Sequence, residues 1–379
     1  TETTACERGA DTDSARIRSE RDPAMACGRQ VIIYLVALVL VNSAWGVPLS
    51  NPRQNNPAGR EDAGVYSLGP DRLGATFDRG LAETFVNFSR ICYCDDTSIR
   101  NWNCSTCKAM APFELAFQSN ETFEHVGAYV GYWPKRNMVL VVFRGSEYLI
   151  NFIQDLTSYA VDAKYPECDA AAQNHSIDPQ RKQHQQNPDH TRNKHTAHSE
   201  QELQDGAKCK VHSGFFDAWK DVRDAVLNAT QEVMAGHPGA QVWVTGHSMG
   251  GAMAVFCALD IRIRLKVPFV GLYTFGQPRV GNLPFASFIA HTLPNALRIV
   301  HQDDVVPHLP PMTGAYLPLT NFHHNPTEIW QSGSEDATFE QCDASGEDPR
   351  CSNSLPSWDR SVEAHMFYVG WPMHCELPY

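Results

Sequence analysis

The sequence predicts an α/β fold in which a mainly parallel central sheet is covered by helices on both faces. Apolar strand-like segments alternate along the chain with segments whose apolar residues recur at helical spacing. This alternation is typical of parallel strands joined by crossover helices. The chain has 379 residues, and the part from about Arg72 onward is long enough for one large domain of this class.

The predicted strands are short apolar runs bounded by glycine, proline or polar residues. They are Val126 to Tyr132, Met138 to Phe143, Gln241 to Thr245, Phe269 to Phe275 and Ala296 to Val300. Between the second and third runs, apolar residues at helical spacing predict an amphipathic helix. Its apolar face consists of Phe215, Trp219, Val222, Val226 and Val233.

Ser248 lies in the sequence Gly246-His247-Ser248-Met249-Gly250-Gly251-Ala252, between a predicted strand and a helix-like run that extends through Arg264. A strained strand-to-helix turn brings its flanking residues so close that larger side chains on either side of the serine would clash. Such a turn presents the serine hydroxyl as a nucleophile. The pattern therefore predicts a serine hydrolase with Ser248 as its nucleophile.

In this kind of fold, the acid and the base follow the nucleophile along the chain. Asp304 comes just after the predicted strand Ala296 to Val300, where α/β sheets place functional side chains. His365, on a short apolar segment further on, is the predicted base. It would take the proton of Ser248 while Asp304 orients its ring. Three other histidines lie near these motifs, and we expect them to make structural hydrogen bonds. They are His247, His301 and His308.

An oxyanion hole needs backbone donors aimed at the oxygen that becomes negative in the transition state. The predicted strand Met138 to Phe143 runs into the turn Arg144-Gly145-Ser146. One donor is expected from this turn, and the other from Met249, the residue after the nucleophile. Ser146 could also offer its hydroxyl.

Five motifs occur in an order that resembles the fungal-type secreted triacylglycerol lipases, the class 3 lipase family. They are Phe143-Arg144-Gly145-Ser146, Val211-His212-Ser213-Gly214-Phe215-Phe216, Gly246 to Gly251, Phe275-Gly276-Gln277-Pro278-Arg279-Val280-Gly281, and Asp304-Val305-Val306-Pro307-His308-Leu309-Pro310-Pro311. The resemblance begins near Leu81 and implies an α/β-hydrolase fold with a helical lid. It places the family's nucleophile on Ser248, its acid on Asp304, its base on His365, and its oxyanion donors on Ser146 and Met249.

The lid is expected directly after the oxyanion turn, in the stretch Glu147 to Ser158. Its apolar residues fall on one helical face: Tyr148, Leu149, Phe152, Ile153 and Leu156. Such a face also suits ordinary core packing, but by resemblance to the family a helix in this position closes over the site in water and turns toward lipid. Phe152 stands where related lids often have tryptophan.

A polar insertion is expected from residue 164 to residue 210, where the family has a short connection. Its composition is too polar to fold alone, so we expect a solvated surface loop. Four histidines within it invite a metal-site interpretation, but they lack a compact ligand pattern. They are His184, His190, His195 and His198. We expect neither a metal nor any other cofactor.

Twelve cysteines indicate an oxidising compartment. The resemblance implies the disulfides Cys94–Cys375, Cys104–Cys107 and Cys342–Cys351. The bracketing of the insertion predicts a further one, Cys168–Cys209. Cys257 is expected to be a buried free thiol, and Cys92 has no obvious partner.

Residues 25–46 have the layout of a signal peptide, with an arginine, the apolar run Val31 to Val41 and small residues before a cleavage site after Gly46. Residues 1–24 are interpreted as an upstream extension, 47–71 as a linker or pro-segment, and 72–379 as the hydrolase domain. This arrangement predicts a secreted protein. Glycosylation sequons start at Asn87, Asn103, Asn120, Asn174 and Asn228.

The formal net charge of −12 disfavours nucleic-acid binding, and no apolar stretch is long enough for a transmembrane anchor. We expect a monomer that meets a lipid–water interface transiently and hydrolyses acylglycerol esters through an acyl-enzyme. Phospholipase A1 and feruloyl esterase activity are the nearest alternatives, because specificity in such enzymes depends on lid and pocket shape. Acyl transfer to an alcohol and a non-catalytic lipid-binding module are further alternatives.

Overall fold

The computed structural model describes residues 76–119, 126–146, 160–175, 208–312, 322–333 and 338–375. All of them lie within one compact unit, Gln54–Tyr379. The expected extension, signal peptide and linker, the five lid residues, and most of the polar insertion lie outside the described residues.

A mixed sheet forms the centre of the fold, with eight strands in the described part of the chain. In their order across the sheet they are β1 (Glu114–Gln118), β2 (Ala128–Trp133), β3 (Met138–Phe143), β6 (Gln241–His247), β7 (Val270–Phe275), β9 (Ala296–His301), β11 (Glu328–Gln331) and β12 (Phe339–Gln341). The central five, from β3 to β11, run parallel, whereas β1, β2 and β12 pair antiparallel at the edges. The prediction of a mainly parallel sheet is thus confirmed at its centre.

Helices cover both faces of this sheet, as predicted. They are α1 (Arg79–Ile91), α2 (Asp96–Arg100), α3 (Ser105–Met110), α4 (Pro166–His175), α5 (Ser213–Gly236), α6 (Met249–Ile263) and α7 (Leu283–Thr292). Strand β3 shows how the faces are divided. Val139, Val141 and Phe143 join the core under α5 and α6, while Leu140 and Val142 join the core under α1. Because side chains alternate along a strand, one apolar run supplies both layers.

Strand β6 continues two residues beyond its predicted end at Thr245. Gly246 and His247 still pair with Thr274 and Phe275 of β7. The strand therefore runs straight into the turn at Ser248, which fixes the position of that residue relative to the sheet.

A second, smaller sheet has the strand order β10 (Phe322–His323), β8 (Gly281–Asn282), β5 (Lys210–His212) and β4 (Ala160–Asp162). Helix α4 falls at the start of the predicted insertion. The expectation of a loop is therefore wrong for Pro166–His175. A proline at the first helical position, early acidic residues and a run of alanines favour this helix.

Four disulfides lie within the described ranges, with the pairings expected from the sequence: Cys94–Cys375, Cys104–Cys107, Cys168–Cys209 and Cys342–Cys351. Cys92 and Cys257 are buried free thiols. Burial raises the pKa of Cys92 to about 12, so this thiol stays protonated and is a poor nucleophile.

Candidate active site

Ser248 occupies a strained turn between β6 and α6. Its φ is 59° and its ψ −130°, a backbone conformation that costs a non-glycine residue about 1–3 kcal/mol. The glycines around it allow the close approach that the turn requires. A Cβ on Gly246 would lie 2.3 Å from the carbonyl oxygen of Gly250, and one on Gly250 would lie 2.4 Å from that of Phe143. The turn therefore has the geometry predicted for a nucleophile.

Asp304 and His365 meet beside this turn, 61 residues apart in sequence. Asp304 follows the end of β9, and His365 lies on the 3-10 turn Ala364–Met366. The Nδ1 atom of His365 lies 2.7 Å from Oδ2 of Asp304, and both side chains are fully buried. Because a carboxylate only accepts hydrogen bonds, Nδ1 carries the proton, and in the neutral ring Nε2 is then the bare nitrogen.

Asp304 is held by two further donors. Its Oδ1 accepts the N–H of Val306 at 2.8 Å, and its Oδ2 accepts the hydroxyl of Tyr368 in a short hydrogen bond. Ser361 also bonds the backbone around it, through the carbonyl of Asp303 and the N–H of Val305. The segments that carry the acid and the base are thus fastened to each other. No sequence motif had signalled Tyr368.

Two polar atoms of this group have no hydrogen-bond partner among the described residues: Ser248 Oγ and His365 Nε2. Both are buried, since Ser248 is 2% exposed and His365 is 0% exposed. An unpartnered buried polar atom is unfavourable for stability and is uncommon in proteins. These are the two atoms between which a serine hydrolase moves a proton.

The predicted oxyanion turn lies directly against the serine. A Cβ on Gly145 would be 2.8 Å from Ser248 Cβ and 2.9 Å from the carbonyl oxygen of His247. Ser146 follows Gly145 in this turn, and Met249 begins α6. The first N–H groups of a helix have no partner within the helix, so the backbone N–H of Met249 suits the second donor position.

The other histidines near the motifs make the hydrogen bonds expected of them. Nε2 of His247 lies 2.8 Å from the carbonyl oxygen of His365, and Nδ1 of His301 lies 2.9 Å from that of Ala364. Nε2 of His308 accepts a short hydrogen bond from the guanidinium of Arg360. The first two contacts support the segment that carries His365, and the third joins the segments that follow Asp304 and precede His365.

Two groups of potential metal ligands occur among the described residues, but both depend on cysteines that are already paired in disulfides. A disulfide sulfur is not a thiolate ligand. In the same part of the chain, no helix has the length and apolar character needed to cross a membrane.

The family model described as "Lipase (class 3)" matches residues 140–314. A lipase of Rhizomucor miehei is 29% identical over 272 residues, which is 71% of this chain and 62% of that protein. A secreted mono- and diacylglycerol lipase of Fusarium solani is 39% identical over 127 residues, 34% of this chain and 36% of that protein. The aligned parts thus cover less than two thirds of these relatives.

A solved structure of a triacylglycerol lipase whose catalytic centre is formed by a serine protease triad superposes with a TM-score of 0.62. It is 28% identical in sequence, and the match covers 79% of this chain and 97% of that chain. The shared motif order, the common fold and the match to the family model make this chain similar to the class 3 lipases.

Proposed function

We propose that this protein is a secreted triacylglycerol lipase that hydrolyses acylglycerol esters at a lipid–water interface. The observation that carries the proposal is the buried Asp304–His365 pair beside the strained turn at Ser248, in which only the two proton-exchanging atoms lack partners within the described residues. The similarity to a lipase of Rhizomucor miehei and to a secreted mono- and diacylglycerol lipase of Fusarium solani supports the same assignment.

The proposed reaction begins with attack of Ser248 Oγ on the ester carbonyl carbon. His365 Nε2 takes the hydroxyl proton as the carbon–oxygen bond forms, and Asp304 stabilises the imidazolium that results. The C–O bond to the alcohol then breaks, and His365 returns the proton to the leaving alkoxide. The products of this half-reaction are a free alcohol and an acyl-enzyme on Ser248.

The second half-reaction repeats these steps with water as the nucleophile. His365 removes a proton from water, the resulting oxygen attacks the acyl carbon, and Ser248 recovers its proton as the fatty acid departs. In both halves the carbonyl oxygen becomes negative. We assign its stabilisation to the backbone N–H groups of Ser146 and Met249, each worth about 3 kcal/mol in enzymes of this type.

Apolar side chains around the catalytic segments support a lipid substrate. Among the described residues, the large hydrophobic side chains that remain exposed are Met312, Trp358, Val362, Met366 and Trp371. Met312 follows the segment of Asp304, and the next three lie on the segment that contains His365. Exposed apolar side chains on the segments that carry the proposed acid and base suit contact with a lipid phase, which a soluble phenolic ester would not need.

Secretion is supported by the four disulfides and by the word "secreted" in the name of a relative. We propose glycosylation at Asn103 and Asn228, which are exposed. Asn87 is a poorer acceptor, because its side-chain amide already donates to the carbonyl of Glu83 at 2.8 Å. The protein is further proposed to act as a monomer without a cofactor.

The test measures fatty acid release from emulsified triolein, phosphatidylcholine vesicles, soluble p-nitrophenyl butyrate and methyl ferulate. We expect triolein to be the preferred substrate and Ser248→Ala to lose about 10⁴-fold or more in turnover. Ser89→Ala is the matched control, because Ser89 is another buried serine and its hydroxyl bonds Thr245 rather than a member of the proposed triad. Preference for phospholipid or ferulate would reassign the substrate. A folded protein that neither hydrolyses any ester nor reacts with an organophosphate would be a binding module.

A further inference from the structure

Tyr93 joins three parts of the proposed catalytic site through one chain of hydrogen bonds. It lies just beyond the end of α1, more than 50 residues before the oxyanion turn. We propose that Tyr93, acting through His247, is a positioning residue that fixes the oxyanion turn and the base relative to the nucleophile. This inference rests on the proposed function.

The contacts run from the oxyanion turn to the base. The N–H of Gly145 donates to Tyr93 Oη at 3.1 Å. Tyr93 Oη lies 2.6 Å from Nδ1 of His247, and Nε2 of His247 lies 2.8 Å from the carbonyl oxygen of His365. Gly145 precedes the proposed oxyanion donor Ser146, and His247 precedes Ser248. One end of this series of hydrogen bonds is therefore one residue from Ser146, and the other end lies on His365 itself.

One observation fixes the direction of every hydrogen bond in this chain. The carbonyl oxygen of His365 can only accept, so Nε2 of His247 carries the proton. In a neutral imidazole, Nδ1 is then the acceptor, and the phenol of Tyr93 must donate to it. The oxygen of Tyr93 is left with its lone pairs directed away from His247, and it accepts from Gly145. The arrangement is complete only with a neutral His247.

The surroundings of His247 keep it in that state. The ring is 1% exposed, and burial, followed by repulsion from His365, holds its pKa well below the ordinary value. Its ring centroid lies 4.4 Å from that of His365. When His365 becomes an imidazolium during the reaction, a neutral neighbour avoids repulsion between two positive rings.

The close packing of the turn makes Tyr93 suited to positioning. A Cβ on Gly145 would lie 2.4 Å from Tyr93 Oη, so the phenol oxygen occupies the space beside the turn. Without this acceptor, the peptide of Gly145 would have to find another partner by rotating. A small rotation would turn the backbone of Ser146 away from the developing oxyanion, and preorganised donors lose effect steeply with misplacement.

The test compares Tyr93→Phe with Tyr129→Phe on soluble p-nitrophenyl butyrate, which avoids any effect of the lipid interface. Tyr129 is a matched control, because its buried hydroxyl donates to the carbonyl of Phe88 at 2.7 Å on a different part of the sheet. We expect Tyr93→Phe to lower kcat about tenfold with KM within about twofold. Tyr129→Phe is expected to lose thermal stability but to keep kcat within about twofold.

A kcat for Tyr93→Phe that equals wild type, or that falls no further than in Tyr129→Phe, would overturn the positioning role. If Tyr93→Phe does not fold by near-ultraviolet circular dichroism, His247→Gln and His247→Leu decide the matter. The glutamine amide can still donate to the carbonyl of His365, so His247→Gln should keep a clearly higher kcat than His247→Leu, and equal losses would refute the proposal. Inactive wild-type protein that matches Ser248→Ala would instead overturn the proposed function, and this role with it.

Discussion

Acidification should destabilise this protein because two fully enclosed histidines are neutral in the folded chain. His247 is 1% exposed and His324 is 2% exposed. Burial, followed by repulsion from His365, holds the pKa of His247 well below its ordinary value. Burial, followed by the Arg298 guanidinium, does the same to the pKa of His324, and Glu347 opposes this only in part.

The sign and size of the effect follow from proton linkage. An unfolded histidine titrates near pH 6.5, so below that pH the unfolded chain binds protons that the folded chain does not. The free energy of unfolding therefore falls as the pH falls below 6.5, and the contribution is intact above it. Between pH 7.5 and pH 5.5 each of these histidines removes about 1.4 kcal/mol, and the pair about 3 kcal/mol. His301, whose pKa is also lowered, acts in the same direction.

Guanidinium denaturation at the two pH values, followed by tryptophan fluorescence with the disulfides intact, measures this loss. His324→Gln provides the sharpest comparison. Nε2 of His324 donates to the carbonyl of Pro307 at 2.6 Å, and a glutamine amide can make the same bond but does not titrate. The variant should lose about 1.4 kcal/mol less than wild type between the two pH values. Equal losses in both proteins, or a wild type whose stability does not change, would refute the reasoning.

Three further predictions concern the site and its supports. Gly276→Ala should lower kcat about 100-fold on a soluble ester, because φ at Gly276 is +60° and a new Cβ would lie 2.7 Å from Cε1 of His365; a kcat within twofold of wild type would contradict this. Glu347→Gln should reduce the free energy of unfolding by about 3–5 kcal/mol, because it leaves the buried guanidinium of Arg279 without its carboxylate partner. A loss below about 1 kcal/mol in guanidinium denaturation would contradict this prediction. Trp358→Ser removes a side chain that is 72% exposed. It should slow hydrolysis of emulsified triolein severalfold and leave hydrolysis of soluble p-nitrophenyl butyrate unchanged, and parallel losses on both substrates would exclude a role at the interface.

Local patterns were enough to predict the centre of the fold. Strand β3 is a continuous apolar run and β6, β7 and β9 are rich in apolar residues, because both faces of these strands are covered. Strand β11 was not predicted because two of its three buried residues, Glu328 and Gln331, are polar. Glu328 pairs with Arg298, and Gln331 accepts the N–H of Val369. Partners so distant in sequence leave no periodic signal.

The candidate site was predictable to the extent that its residues lie in short motifs. Ser248 and Asp304 lie on turns whose residues are dictated by local sterics and by the preceding strand, and chain order then led to His365. The supporting residues were not predictable in this way. Tyr93 and Tyr368 reach the site through hydrogen bonds to residues 154 and 64 positions away, respectively. A tyrosine in isolation looks the same whether it fills a core or orients a catalytic group.

The geometry of the parallel sheet explains why these distant groups arrive together. Strands β3, β6, β7 and β9 are consecutive neighbours running in one direction, so their carboxyl ends share one edge. The oxyanion turn, Ser248, Gly276 and Asp304 each follow one of these ends. His365 is then fixed by Asp304 through its ring and by His247 through its backbone. Because both attachments use atoms other than Nε2, the ring is held without blocking the nitrogen that accepts the serine proton in the proposed mechanism, and the fold can orient the proposed base before any substrate binds.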